Sequence, residues 1–577
     1  MNGFKVALVG SEHEENLSLR YLAASVEKAG FEAEIFAYDG VAGTARNAVV
    51  EAILKSKAQV VGISVPFQHR AQALLTLAND IRAAGYDGHV TSGGHFATFE
   101  YESILRDHPS VSSIVRHEGE DTLVELCQAL QSGGSLAEIA GLVTRAPVQK
   151  SLPIAGRSSN QPLHVGPERP LPKLNSLPFP DRRGTPMQVL GVRTAPILGS
   201  RGCYADCSFC CIYAYADAAK GPRYRMRTVE NIVEEMKSEY HRRHVRLFVF
   251  HDDNFFLPYA PKNIERYEQM AKLLREEGLT DIALVIKCRP NDVDPHLFRV
   301  LQNMGMIRAY IGIETNSDEG IVSLNRRITS EDNRRALQVF DEIGLYSSFN
   351  MLIFDPEATL HGVESNLNFM ADHTHIPWNF CRAEVYAGTP LKATLESQKR
   401  LAGDYLAWNY QMRDERVELL FRIATTAFFG RNFKVDGVAN LNMGIRFDAE
   451  VLKRFYPHTW TQDLGRRLVA MSREVGGTSI QFMREALAFA RSVPLSDRRA
   501  IHTFTLDLTR RITKVDFALL GEVKSLRAEL ERRVNLPMPA GSSITGALPW
   551  AAETARLGTS VGLPISTEQL PMPALAT

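Results

Sequence analysis

The sequence of 577 residues predicts an α/β protein in three parts: a doubly wound parallel sheet, a second α/β series forming a full or partial parallel barrel, and a mostly helical C-terminal region. Three observations carry this reading. Short apolar strands alternate with amphipathic helices from Phe4 to Ala146, six further strand and helix alternations follow Val189, and beyond Leu401 the pattern turns helical to about Val534. Strands separated by one helix each are βαβ units, which build parallel sheets. The chain is also too long for one core, since single cores stop growing near ~250–300 residues.

In the first series, taken as residues 1–146, "KVALVG" is a strand, "NLSLRYLAASVEKAG" a helix, "EAEIFAYD" a strand and "TARNAVVEAILKSK" a helix. "QVVGISVPF" reads as a buried strand, "AQALLTLANDIRAAG" as a helix, "HVTSGG" as a strand, and "SSIVRHEGEDTLVELCQAL" as strand then helix. Ligands of doubly wound sheets sit outside the carboxyl ends of the strands. That rule marks the loops Gly10 to Asn16, Pro66 to Arg70, Gly93 to Phe99 and His117 to Asp121.

Residues 147–187, rich in proline, serine and glycine, read as a linker. The second series, 188–400, opens with "VRTAPILGSRGC". It continues through the strands "VRLFVFHDDN", "IALVIKCRP", "IRAYIGIET", "YSSFNMLIF" and "FCRAEVYAG", with helices between them. Chemistry in a parallel barrel lies at the carboxyl ends of its strands. A helical domain is expected over 401–535, covering the barrel mouth, and a flexible tail over 536–577. Sixty-six basic residues balance 66 acidic ones, so charge points to no nucleic-acid partner. No stretch reaches the ~18 apolar residues of a membrane helix, and the amino-terminal apolar run is too short for a signal peptide. A cytoplasmic protein with no membrane partner is expected, in a compartment where thiols stay reduced.

Four of the seven cysteines fall within nine positions of "SRGCYADCSFCCIYAYA", Ser200 to Ala216. Thiolates from Cys203, Cys207 and Cys210 suit an iron–sulfur cubane, because such clusters take cysteine ligands from one short loop. Three ligands for four irons leave one iron open to substrate. Cys211, adjacent to Cys210, is expected to diverge into packing. A zinc knuckle would bring a second pair of ligands, whereas Cys288 and Cys381 stand alone inside strands.

C-x3-C-x2-C with an aromatic, Phe209, just before the last cysteine resembles the signature of radical S-adenosylmethionine (SAM) enzymes, whose partial TIM-type barrel matches the second series. The resemblance implies a [4Fe-4S] cluster whose open iron chelates the amino and carboxylate groups of SAM, with Phe209 near the adenine. Electron transfer from the reduced cluster then cleaves SAM to methionine and a 5′-deoxyadenosyl radical. "HDDNF" resembles the position that receives the SAM amino group, which makes Asp252, Asp253 and Asn254 candidates. "GIET" around Glu314 resembles the motif whose carboxylate approaches the ribose hydroxyls. Lys287 and Arg289 are placed to reach the SAM carboxylate or the substrate, or else are ordinary polar groups of a barrel interior. "EVYAGTPL" at 384–391 is similar to the closing motif of one subgroup, while "NMLIFDPEAT" lacks the paired glycines of the fifth strand.

A doubly wound, Rossmann-like domain carrying "ENLSLRYLAASVEKAG", "VVGISV", "SGGHFAT" and "HEGEDTL" ahead of such a barrel resembles the cobalamin-binding radical SAM enzymes. Gly93, Gly94 and Gly119 would let backbone approach the ligand closely, and Glu120 is a further candidate for binding the cofactor. The domain has no D-x-H-x2-G, so another residue is expected to face the cobalt, with Gln68, His69 and Arg70 of "PFQHRA" as candidates. An arginine there stays protonated and cannot ligate cobalt. His69 and Arg70 are equally open to binding the nucleotide tail or capping the helix. "GGHFAT" has its histidine, His95, one place earlier than the family's G-G-x-H-A-T.

The resemblance implies a cobalamin-dependent radical SAM methyltransferase acting on a carbon of a specialised-metabolite or peptide substrate. An external flavodoxin- or ferredoxin-type donor would supply electrons. Two alternatives stay open: a cyclase or rearrangement enzyme using the same cofactors without methyl transfer, and a non-catalytic cobalamin or redox sensor. Against the sensor stand the intact cysteine loop and acidic groups at separate strand ends.

Overall fold

The computed structural model describes residues 3–536 except 13, 39, 41–43, 147–160 and 220. The first part of the expected linker and the expected tail beyond Leu536 lie outside the described residues. The described residues fall into two compact units. Among the described residues, one comprises those within 3–184, 209–227 and 385–409; the other comprises those within 185–208, 228–384 and 410–536.

The first unit alternates β1 (Lys5–Gly10), α1 (Leu17–Lys28), β2 (Glu32–Ala37), α2 (Thr44–Ser56), β3 (Val60–Ser64), α3 (Gln68–Ala83), β4 (His89–Gly93), α4 (His95–Phe99), α5 (Tyr101–Asp107), β5 (Ser113–Val115) and α6 (Glu120–Ser132). Two strands follow, β6 (Leu142–Arg145) and β7 (Leu163–Val165), the latter in the segment expected as linker. The sheet order is β2-β1-β3-β4-β5-β6-β7, parallel through β5 and antiparallel at its last two strands. Strand order reverses at β1, so the switch point lies between the carboxyl ends of β1 and β3. Successive side chains of a strand point to opposite faces. Val6 and Leu8 accordingly join Leu19 and Val26 of α1 and Leu126 of α6, while Ala7 and Val9 join Ile53 of α2 and Leu74 and Ala78 of α3. Both faces are covered, as a doubly wound sheet requires.

Next along the chain come β8 (Met187–Val189), β9 (Val192–Ile197), β10 (Ser200–Gly202), α7 (Cys211–Ala218) and β11 (Tyr224–Met226). The series continues with α8 (Val229–Arg242), β12 (Leu247–Phe250), α9 (Ala260–Glu276), β13 (Ala283–Cys288), α10 (Pro295–Asn303), β14 (Met306–Ile311), α11 (Asp318–Ser323), α12 (Ser330–Ile343), β15 (Tyr346–Phe354), α13 (Leu360–Asp372) and β16 (Trp378–Arg382). The second unit's sheet runs β16-β15-β14-β13-β12-β9-β8: six parallel strands, each beside its predecessor, with the antiparallel β8 at one edge. It is a half-barrel rather than a closed barrel.

After α14 (Pro390–Ser397) and two strands of two residues each, the main elements are helices: α15 (Glu415–Ala427), α16 (Val438–Phe455), α17 (Gln462–Ser492) and α18 (Arg498–Arg533). Leu452 of α16, Met471 of α17 and Leu526 of α18 share a core with Leu247, Ala283, Ile307 and Tyr346. Those four lie at the first or second position of β12, β13, β14 and β15. The three helices thus seal the amino-terminal end of the strands rather than the mouth expected from the sequence, because that is where the strands present apolar side chains. α15 reaches the other end, with Phe421 beside Phe354 and Arg382.

Candidate functional site

In the second unit, the loop after β9 is held by carboxylates from the end of β12. Asp252, fully buried, accepts from the Gly199 amide at 2.9 Å and the Ser200 hydroxyl at 2.5 Å. Burial pushes its carboxyl up to about 6, opposed by these two bonds. Asn254 is also buried and donates to the Phe256 carbonyl at 3.0 Å. Asp253 is exposed, accepts from the Gly202 amide at 3.0 Å and lies close enough to Cys203 to act on its charge. All three candidates in "HDDNF" therefore hold the loop: Asp252 through two bonds from within, Asp253 through the Gly202 amide, and Asn254 through its carbonyl, which accepts from the Ser200 hydroxyl at 3.1 Å.

The Cys203 sulfur accepts from the Ala205 amide at 3.4 Å, and burial pushes its thiol up to about 11. Cys207, only 4% exposed, accepts from two guanidiniums: Nη1 of Arg289 and Nη1 of Arg326, each at 3.2 Å. Cys210 caps the amino terminus of α7, directly after Phe209, at the start of the segment grouped with the first unit. Cys211 is buried, as expected, and burial raises the thiols of Cys288 on β13 and Cys381 on β16 well above the ordinary range. Among the described residues, no three His, Cys, Asp or Glu side chains converge as ligands of a single ion. A cubane spreads its ligands over separate irons.

Arg289 follows β13 and sits at the start of a short turn, its amide donating to Asp292 at 3.1 Å. Tyr204 of the cysteine loop donates to the same Asp292 at 2.6 Å, so this carboxylate ties strand end to loop. Lys287 is half-buried, in register with Tyr310 and facing the same side of the sheet. Glu314, past the end of β14, holds a left-handed φ of 64° and bridges to Met351. Burial raises its carboxyl, opposed by Arg326 and then Arg289. Asn350 on β15 leaves its buried side-chain oxygen without a partner among the described residues.

Arg326 was not singled out by sequence. It lies in "NRRIT" between two left-handed residues, Asn325 at 47° and Arg327 at 49°, which turn it inward while Arg327 pairs with Asp206 at the surface. Two left-handed non-glycines around one arginine are the signal, and they are visible only in the backbone.

In the first unit, Gln68, His69 and Arg70 open α3 at the switch point. The Phe67 ring lies 5.8 Å from His69, 6.4 Å from His95 and 5.7 Å from Tyr386. Tyr215 of α7 lies 4.1 Å from His95 and 5.3 Å from His117. Burial lowers His69, His95 and His117 to about 4 each, helped respectively by Arg70, His117 and Arg116. All three are neutral imidazoles at neutral pH. Both ring nitrogens of His69, Nδ1 of His117 and Oε1 of Gln68 are buried with no hydrogen-bond partner among the described residues. Gly94 has φ 103°, and a Cβ there would stand 2.9 Å from the Val65 carbonyl oxygen. A Cβ on Gly93 would meet the Val115 carbonyl, and one on Gly119 the Val115 side chain. These three glycines serve close packing of the loops themselves. Glu120 is buried at the head of α6.

The two donor sets fit the two expected cofactors. Soft thiols under buried cations suit an anionic iron–sulfur cluster, and unpaired polar atoms at a switch point suit a large polar ligand. Comparison with known families decides the matter. Residues 6–127 match the family model of the B12 binding domain and residues 197–369 that of the radical SAM superfamily. The chain belongs to the cobalamin-binding radical SAM enzymes. The two domain families imply cobalamin, SAM and a [4Fe-4S] cluster as its cofactors. This radical SAM enzyme is 28% identical to an uncharacterized methyltransferase of Pyrococcus horikoshii, over 65% of its own length and 77% of the relative's. It is 24% identical to the anaerobic magnesium-protoporphyrin IX monomethyl ester cyclase of Rubrivivax gelatinosus, over 62% of its own length and 64% of the cyclase. The solved structure of the radical SAM methyltransferase TsrM from Kitasatospora setae, with cobalamin and [4Fe-4S] cluster bound, aligns with a TM-score of 0.57 at 19% identity. That alignment covers 69% of this chain and 75% of the other, and at this identity the likeness is one of fold. Among the described residues, no helix is long and apolar enough to cross a membrane.

Proposed function

We propose that the enzyme is a methyltransferase that passes a methyl group from SAM, by way of cobalamin, to a carbon of a small-molecule or peptide substrate of specialised metabolism. The observation that carries this reading is the C-x3-C-x2-C loop, with its Cys207 sulfur under two buried guanidiniums, in a chain that also has a B12 binding domain. When bound, the cluster supplies the electron that cleaves SAM, and cobalamin carries the methyl group.

Cys203, Cys207 and Cys210 hold three irons and leave the fourth open. Asp253 and the loop braced by Asp252 and Asn254 take the ammonium of SAM, Phe209 lies against its adenine, and Glu314 takes its ribose hydroxyls. Lys287 serves the SAM carboxylate or the substrate. Gln68, His69, Arg70, Gly93, Gly94, Gly119 and Glu120 line the cobalamin site. A flavodoxin- or ferredoxin-type protein donates the electrons. The 24% identity to the cyclase supports a second reading, ring formation with the same cofactors.

The test is anaerobic turnover of reconstituted enzyme with SAM carrying a deuterated methyl group. Methyl transfer predicts S-adenosylhomocysteine and loss of the label from SAM; 5′-deoxyadenosine without S-adenosylhomocysteine would overturn it in favour of the cyclase reading.

A further inference from the structure

We infer that Arg289 and Arg326 are a matched pair that sets the reduction potential of the cluster through its Cys207 corner, an inference that rests on the cluster assignment above. Three observations meet here. Both arginines are buried, at 7% and 4% exposure, where a guanidinium is costly unless an anion compensates it. Both direct Nη1 at the same sulfur, 3.2 Å away, although they come from different places in the fold, one following β13 and the other following α11. And both are locked by backbone: Arg289 donates its other nitrogen to the Arg326 carbonyl, and Arg326 donates to the Gly312 carbonyl.

A pair fixed in this way holds its charge at one sulfur with little reorganisation. Glu314 is a carboxylate that feels both cations: burial raises its carboxyl, and Arg326 and then Arg289 oppose the rise. Hydrogen bonds and charge at the sulfurs are established determinants of iron–sulfur potentials. Two guanidinium donors stabilise the electron-rich reduced state and raise the potential, bringing it within reach of an ordinary protein donor. The arrangement also makes the corners unequal. Cys203 accepts from a neutral backbone amide, while Cys207 accepts from two cationic guanidiniums.

The experiment is an EPR-monitored redox titration of the reconstituted full chain, comparing wild type with Arg289→Gln, Arg326→Gln, Arg326→Lys and Arg327→Gln, with iron and sulfide measured on each sample. Each Gln variant at Arg289 or Arg326 is expected to keep its cluster and shift the midpoint to more negative potential. Arg326→Lys, which keeps the charge and loses the planar fork, is expected in between. Arg327→Gln, at an exposed residue paired with Asp206, is expected at the wild-type value. Full cluster content with an unchanged midpoint in both Gln variants overturns the inference. So does a folded Gln variant that binds no iron, which would make the arginine a structural brace. Absence of a cluster from the wild type would instead overturn the assignment of Cys203, Cys207 and Cys210.

Discussion

Asp252 has no path to solvent, yet it anchors two consecutive residues of the cysteine loop, Gly199 through its amide and Ser200 through its hydroxyl. Asp252→Ala strands both donors in the interior, and we expect a loss of about 2–4 kcal/mol in unfolding free energy, read by urea denaturation. Iron uptake should fall with it; full stability in this variant would show the brace to be dispensable. The histidines of the first unit carry a different prediction. His69, His95 and His117 are each lowered by burial from 6.5 to about 4, so between those values the unfolded chain binds more protons than the folded one. Stability contributed by these groups is therefore lost as pH falls from about 6.5 toward about 4. The drop in urea midpoint between pH 7.5 and 5 should be smaller in a His69→Gln, His95→Gln, His117→Gln variant than in wild type; an equal drop contradicts the burial account. At this scale the sequence revealed what spacing encodes. C-x3-C-x2-C is local in the chain and was legible, whereas Arg326 meets Cys207 only because the chain folds back over a separation of 119 positions.

The strands and helices were the most legible layer, because apolar strands interrupted by one amphipathic helix each admit few arrangements. The doubly wound sheet and the half-barrel both follow that pattern. What escaped was short or irregular: β6 and β7, the last two strands at one side of the sheet, have four and three residues, and β7 lies in a segment whose proline and serine content reads as linker. The direction in which α16, α17 and α18 pack was also hidden, since a helical pattern tells which face is apolar and not which surface it meets. One element boundary gives a sharp test. β4 turns into α4 through Gly94 at φ 103°, where a Cβ would run into the Val65 carbonyl. Gly94→Ala combines an unfavourable φ with a 2.9 Å contact to backbone, and we expect a loss of about 1–3 kcal/mol together with weaker cobalamin uptake. A Gly94→Ala chain of wild-type stability would mean that this loop is not under the constraint described.

For the molecule as a whole, cobalamin is proposed for the switch-point loops that follow β1 and β3 and the cluster for the cysteine loop. Separate determinants explain why each was recognisable alone, one by the order of weak loop motifs and the other by a single strong one. Substrate choice was not legible: Lys287, Tyr310 and Asn350 share a sheet face through register rather than through sequence proximity, and no spacing in the sequence brings them together. The most direct measurement is the cofactor content of the anaerobically reconstituted chain, as iron, sulfide and cobalamin per protein, for wild type and for the Cys203→Ala, Cys207→Ala, Cys210→Ala variant. The account predicts about four iron, four sulfide and one cobalamin in wild type, and cobalamin alone in the variant. A variant that retains its iron, or a wild type that takes up a cluster and no cobalamin, would contradict it.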